Sequence, residues 1–206
     1  ERTGQYFHGS SPDMSGAVGL AVCAERFLIV DFPLSIPGAS GGSNTGRSAM
    51  NTHKGKLSAE SQTSSFVASG WSPGVPKFFS VETVWAHAAL DTLRLLKPAA
   101  VREFNFARLL GICSARHPEY RDEIEVATRE VRELLGGELA ALQASIQQER
   151  QRVRRARAWQ LLTRVLHPTA SGGRPFVGGL HTVAEAPPQL AARLAELKLG
   201  WREAVS

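Results

Sequence analysis

The sequence predicts an all-α protein: a small antiparallel bundle of three to four helices with a long C-terminal helix, plus extended N- and C-terminal arms. Three observations carry this expectation. From about residue 80 to about 166, apolar residues recur at helical spacing. Upstream, about 33–65 is rich in Gly and Ser and offers few apolar side chains to offset backbone entropy, so it reads as extended or mobile. Two apolar islands, 17–23 and 27–30, read as short strands or docked extended segments, and no further strands are available to build a sheet domain with them. The expected organisation is an arm over 1–79 with a docked segment at 15–30, a bundle over 80–167, and an extension over 168–206.

The helices follow in order. Ser80 is placed to N-cap the first, with Glu82 in its first turn and an apolar stripe of Val81, Val84, Trp85 and Ala88. Pro98 interrupts it. In the second helix, Phe106, Leu109, Leu110 and Cys113 stand at i, i+3, i+4 and i+7. Pro118 suits the first turn of a third, whose stripe is Tyr120, Ile124, Ala127, Val131, Leu134 and Leu135. Gly136 and Gly137 break the chain. A long helix then runs from about 138 to 166, about 40 Å at 1.5 Å per residue, and stops before Pro168. Its expected core positions are Leu139, Leu142, Ile146, Val153, Ala156 and Trp159, with a polar gap at 147–151. A short helix at about 188–199 places Leu190, Leu194 and Leu197 on one face, with Gly200 as its stop.

The 206 residues are 43% hydrophobic and 21% charged, ordinary globular usage that excludes wholesale disorder. No apolar run approaches the roughly 20 residues of a membrane-spanning helix. The chain starts at Glu1 with no basic-plus-apolar leader, which reads as a processed mature form or an incomplete one. The formal net charge of +5 has one address. Arg150, Arg152, Arg154, Arg155 and Arg157 stand together with no acid among them, and without them the chain is formally neutral. The third helix is acidic: residues 119–138 hold seven Asp/Glu against three Arg. Two arrangements are open, one in which it packs near the basic stretch and partly neutralises it, and one in which the two faces are solvated separately.

No motif that could carry chemistry survives its structural requirements. Residues 41–48 match phosphate-loop spacing with Arg47 in the Lys position, but Pro33, Pro37 and Gly55 spoil the strand–loop–helix that the mechanism needs. Residues 38–42 match the spacing of a serine-hydrolase elbow. Two unrelated motifs in one Gly/Ser tract point to composition as the source of both. None of the six histidines has a His or carboxylate partner at metal-ligand spacing, and His117 and His167, each before a proline, suit capping or solvated roles. Cys23 and Cys113 read as buried small hydrophobes in a reducing compartment, and Trp85 and Trp159 as core residues. The expectation is a non-enzyme with no cofactor and no metal.

Several stretches resemble a known family. Ser15-Gly16-Ala17-Val18-Gly19-Leu20-Ala21-Val22-Cys23 is similar to the N-terminal segment of the alpha-subcomplex subunit 5 family of accessory subunits of mitochondrial complex I. Leu90-Asp91-Thr92-Leu93, followed by Pro98-Ala99-Ala100-Val101-Arg102-Glu103-Phe104, resembles that family's first helix, proline turn and second helix start. Pro118, Leu135-Gly136-Gly137, Leu139 and Trp159 fall in register. The resemblance covers about half the chain, 15–23 and roughly 81–166. It departs from the family in the 24–79 insertion, in Trp85 where the family has Tyr, in Val101, and in 169–206.

The resemblance implies a non-catalytic subunit on the matrix side of the mitochondrial inner membrane. Its neighbours would be core and accessory subunits of the peripheral arm, in the quinone-reducing module. It would bind no flavin, cluster, quinone or nucleic acid, and would be membrane-associated only through the complex. The candidate interface residues are Val18 and Leu20 of the N-terminal segment and Arg150, Arg152, Arg154, Arg155 and Arg157 of the long helix. One competing reading is a basic, RNA-associated mitoribosomal protein using the five arginines. Another is a stalk or adaptor subunit of a different mitochondrial membrane complex, although 138–166 is too short and too polar for an autonomous coiled coil.

Overall fold

The computed structural model describes residues 4–5, 7–28, 30, 32, 54–59, 63, 70–168 and 179–200. Among these the chain is all-α, and its only β pairing is an isolated antiparallel bridge between Gly55 and Phe79. The chain divides into two units, one of Glu1–Ala24 with Gly41–Trp159 and one of Glu25–Ser40 with Gln160–Ser206. The Gly/Ser motifs at 38–42 and 41–48 lie outside the described residues.

The first unit contains α1 (Pro12–Cys23), α2 (Val81–Leu96), α3 (Phe106–Arg116), α4 (Arg121–Leu135) and α5 (Leu139–Leu166) as far as Trp159. Short 3-10 turns at Pro98–Glu103 and Pro118–Tyr120 join α2 to α3 and α3 to α4, and a third lies at Leu57–Ala59. Ser80 caps α2 as expected. Its hydroxyl accepts from the Thr83 N–H at 3.3 Å, and the Ser80 N–H donates to Thr83 Oγ1 at 3.0 Å, a reciprocal box that satisfies two end donors. Gly136 ends α4 in the left-handed region, φ +68°, where a side chain would be strained.

The core gathers where α2, α3 and α4 meet. Leu90, Val101, Phe106, Leu110 and Val131 are buried there with Phe78. The expected stripe of α3 is buried throughout; of that of α4, Ile124, Ala127 and Val131 are buried, Tyr120 and Leu134 are half-buried, and Leu135 at the helix end is exposed. Each fully buried Leu, Val or Phe contributes about 1.5–3 kcal/mol relative to exposure. The segment before α2 adds Val75, Phe78 and Phe79. Part of the tract expected to be extended or mobile is packed as well. Leu57 joins Phe79 and Val84 in a second small cluster, and Thr63 is buried with its hydroxyl donating to the Leu57 carbonyl at 2.6 Å.

Three expectations are corrected. Segment 15–23 is not a strand or an extended segment but most of α1, with Pro12 in its first turn. Its small residues permit a close approach to α2. Gly19 lies against Leu96 and Thr92, and Ser15 Oγ accepts from Thr92 Oγ1 at 3.0 Å and from the His8 N–H at 2.7 Å. These contacts outweigh the weak helix propensity of a Gly/Val-rich run. In the second island, Phe27 and Leu28 are exposed and sit in no regular element, so neither is docked. Trp85 is 44% exposed rather than in the core, because α2 turns Val84, His87 and Leu90 inward instead.

The second unit holds the last turns of α5, a 3-10 turn at Val183–Glu185 and α6 (Ala186–Glu196). Leu190 and Leu194 are half-buried, whereas Leu197 lies past the end of α6 and is exposed. No described helix is long and apolar enough to cross a membrane.

Candidate functional site

The long helix carries most of the candidate interface residues. α5 spans 28 residues and none of them is buried. Of its expected core positions, Leu142 and Ile146 pack against the main core but stay partly exposed, while Trp159 is 70% exposed and Ala156 lies in solvent. The physical reason is composition. Past Ile146 the helix meets the solvent-seeking run 147–155 with only Val153 to bury, so no apolar stripe forms.

What holds α5 to the first unit is a close backbone approach. A Cβ built on Gly111 of α3 would stand 2.6 Å from Glu149 Cβ and 3.0 Å from both Arg150 N and the Ile146 carbonyl oxygen. Only glycine lets the two helices meet there. Beside this crossing, α3, α4 and α5 enclose an open groove of about 850 Å³. Ile124, Leu139, Ile146 and Pro118 supply its apolar lining. Arg121 and Arg129 come from α4 and Arg150 from α5, with Glu125 as the one acid.

Arg150 is half-buried, and its Nε is buried with no hydrogen-bond partner. Arg152, Arg154, Arg155 and Arg157 are exposed, and among the described residues only Arg152 of the five has an acidic neighbour, Glu149 at 3.7 Å on its own helix. The acids on and just before α4 look elsewhere. Glu119 pairs with Lys54 at 2.6 Å, Arg121 with Glu125 at 2.9 Å, and Glu130 receives the Gly74 N–H at 2.8 Å beside Lys77. The hydrogen bond from Lys54 holds the Glu119 carboxyl below its ordinary value. Among the described residues, then, no ion pair joins the two faces, although Glu125 of α4 and Arg150 of α5 line the same groove. In α1, Val18 is half-buried and Leu20 is 69% exposed, so Leu20 is open to a partner and Val18 only in part.

Two polar clusters escaped the sequence reading. In the first, Ser72, His87, Asp91 and Arg94 converge. The Ser72 N–H donates to His87 Nδ1 at 3.3 Å, and Ser72 Oγ lies 2.9 Å from the same nitrogen. That hydroxyl also donates to Asp91 Oδ1 at 2.9 Å and accepts from Arg94 Nη1 at 2.7 Å, while Asp91 Oδ2 stands 3.4 Å from His87 Nε2. His87 therefore does have a carboxylate partner, one helical turn away, contrary to the expectation for the histidines. The i, i+4 spacing of His87 and Asp91 was the available signal; Ser72 had none.

The residue types are those of a nucleophile–base–acid set, but the arrangement is structural. Ser72 and His87 are fully buried, the serine proton faces a carboxylate, and Trp71 stacks on His87 with ring centroids 4.2 Å apart. Burial holds the imidazole below its ordinary value, against the pull of Asp91. The cluster pins the segment before α2 onto that helix.

The second cluster joins α2 to the end of α3. Glu82 accepts from Arg116 Nη1 at 2.8 Å and faces His117 Nε2 at 3.1 Å. Burial raises the Glu82 carboxyl, but hydrogen bonds from His117, its own backbone and Arg116 outweigh it and bring the group down to about 2. His117 does cap α3, yet it is buried rather than solvated. The cysteines separate: Cys113 is buried, and burial, helped by the Glu82 charge, pushes its thiol well up, whereas Cys23 is exposed, against expectation. Among the described residues no group of three His, Cys, Asp or Glu could hold a metal ion. Compared with known proteins, the chain matches no family model, no curated protein and no solved structure.

Proposed function

We propose that the protein is a non-catalytic structural or assembly subunit of the matrix-side peripheral arm of mitochondrial NADH:ubiquinone oxidoreductase, complex I. It contacts core and accessory subunits of the quinone-reducing module, and it is held at the inner membrane only through them. The observation that carries the interaction role is α5, 28 residues without one buried side chain. Helices in proteins owe most of their stability to tertiary packing of one face. A helix this long with exposed Leu161, Leu162, Val165 and Leu166 is completed by a partner surface.

The particular complex rests on the resemblance of 15–23 and 81–166 to its accessory-subunit family. The docking of α1 on α2 supports it, since the N-terminal segment lies on the first bundle helix despite the long insertion between them. The cluster of exposed arginines on α5 favours a second reading, a subunit that contacts RNA phosphates.

One experiment separates the two. A gently solubilised membrane extract is resolved by native gel or gradient and stained for NADH dehydrogenase activity. Co-migration of the protein with that activity is the expected result. Migration with ribosomal RNA, or as a free small species, would overturn the assignment.

A further inference from the structure

We infer that the groove between α3, α4 and α5 is a docking site for an acidic peptide segment of a partner protein. The inference rests on the reading of the chain as an interaction subunit and names the chemistry of one contact. Charge complementarity is the first argument. Arg121, Arg129 and Arg150 line the groove against the single carboxylate of Glu125, and that carboxylate is already held by Arg121 at 2.9 Å. Arg150 has no acidic partner among the described residues, and its Nε is buried without a hydrogen bond. The charged guanidinium is a donor of charge-assisted hydrogen bonds that suit an incoming carboxylate.

The positive lining also continues beyond the groove. Arg154 and Arg157 follow Arg150 at i+4 and i+7 on the same face of α5, both exposed and, among the described residues, without an acidic partner. At 1.5 Å per residue the three span about 10 Å, the reach of several acidic side chains rather than of one small anion.

The remaining walls favour a peptide over a nucleic acid. No aromatic ring lines the groove, so there is no platform for a base. Ile124, Leu139 and Ile146 offer an apolar floor for an aliphatic residue between the acids. Gln143 and Gln147 present amides suited to a peptide backbone.

The test is fluorescence polarisation with the full-length chain and three labelled probes. These are a ten-residue Glu/Leu peptide, the same peptide with Gln for every Glu, and a ten-nucleotide uridine RNA. Binding of the acidic peptide that weakens with salt is expected, with at least tenfold weaker binding of the Gln peptide and of the RNA. Arg150→Glu should reduce acidic-peptide binding at least tenfold. Because that substitution also touches the α3–α5 crossing, Gln147→Trp, at an exposed groove position, is the second variant and should reduce binding by filling the groove. RNA binding as tight as the peptide, no peptide binding, or binding unchanged in both variants would overturn the inference. Co-migration with NADH dehydrogenase activity is scored separately. A chain that co-migrates but ignores the peptide loses this inference and keeps the subunit assignment.

Discussion

Replacing Glu82 with Gln removes the carboxylate that ties the first turn of α2 to the last turn of α3. In the native protein that carboxylate receives Arg116 at 2.8 Å and His117 at 3.1 Å. Its pKa falls from the ordinary 4.5 to about 2. At about 1.4 kcal/mol per pH unit, this corresponds to about 3 kcal/mol of stability at neutral pH. The Arg116 side chain is 58% exposed, so solvent screens its share, and the expected loss in Glu82→Gln is about 2 kcal/mol.

The sign follows from the depressed pKa. The contribution is fully present above pH 4.5 and is lost as pH falls through about 2. Urea unfolding of both proteins, followed by helical circular dichroism between pH 7 and pH 2, reads this directly. The gap between the two should be widest near neutrality, narrow below pH 4.5 and close near pH 2. A gap that is absent at pH 7, or that stays constant across the series, would refute the electrostatic account of this contact.

Other perturbations test the remaining parts of the structure. Gly111→Ala places a Cβ 2.6 Å from Glu149 Cβ and should destabilise the first unit by about 1–3 kcal/mol in urea, displacing α5 from α3. Ser80→Ala removes a cap acceptor of α2 and should cost about 1 kcal/mol by the same assay. With a thiol reagent at neutral pH, Cys23 should label rapidly in the native protein and Cys113 only after urea is added, as mass spectrometry of the labelled peptides would show.

The groove and the two polar clusters differ in how far the sequence announced them. The arginines of α5 were visible because they crowd a short window, whereas the partners of the acids on and just before α4, among them Lys54, Lys77 and Arg121, were not. Glu82 with His117 and Ser72 with Asp91 join residues far apart in the chain, 35 and 19 positions respectively, so no local spacing reports them. Trp85 and Trp159 mark the opposite failure. Each is apolar and at helical spacing, yet α2 turns Val84, His87 and Leu90 inward, and α5 buries none of its residues.

By itself the sequence determined the helical class, the Ser80 cap, the buried stripe of α3, the middle of that of α4, the stop at Gly136 and the length of α5. All of these follow from short-range periodicity and from what Ser, Pro and Gly do to adjacent backbone. Only the tertiary structure decided that 15–23 is a helix, that Leu57 and Phe78 belong to packed clusters, and that α5 crosses α3 at Gly111. Those outcomes depend on which surface each segment meets. A Gly/Val-rich run becomes α1 because α2 offers Thr92 and Leu96 to pack against, and a glycine inside α3 becomes a crossing point only once another backbone arrives there.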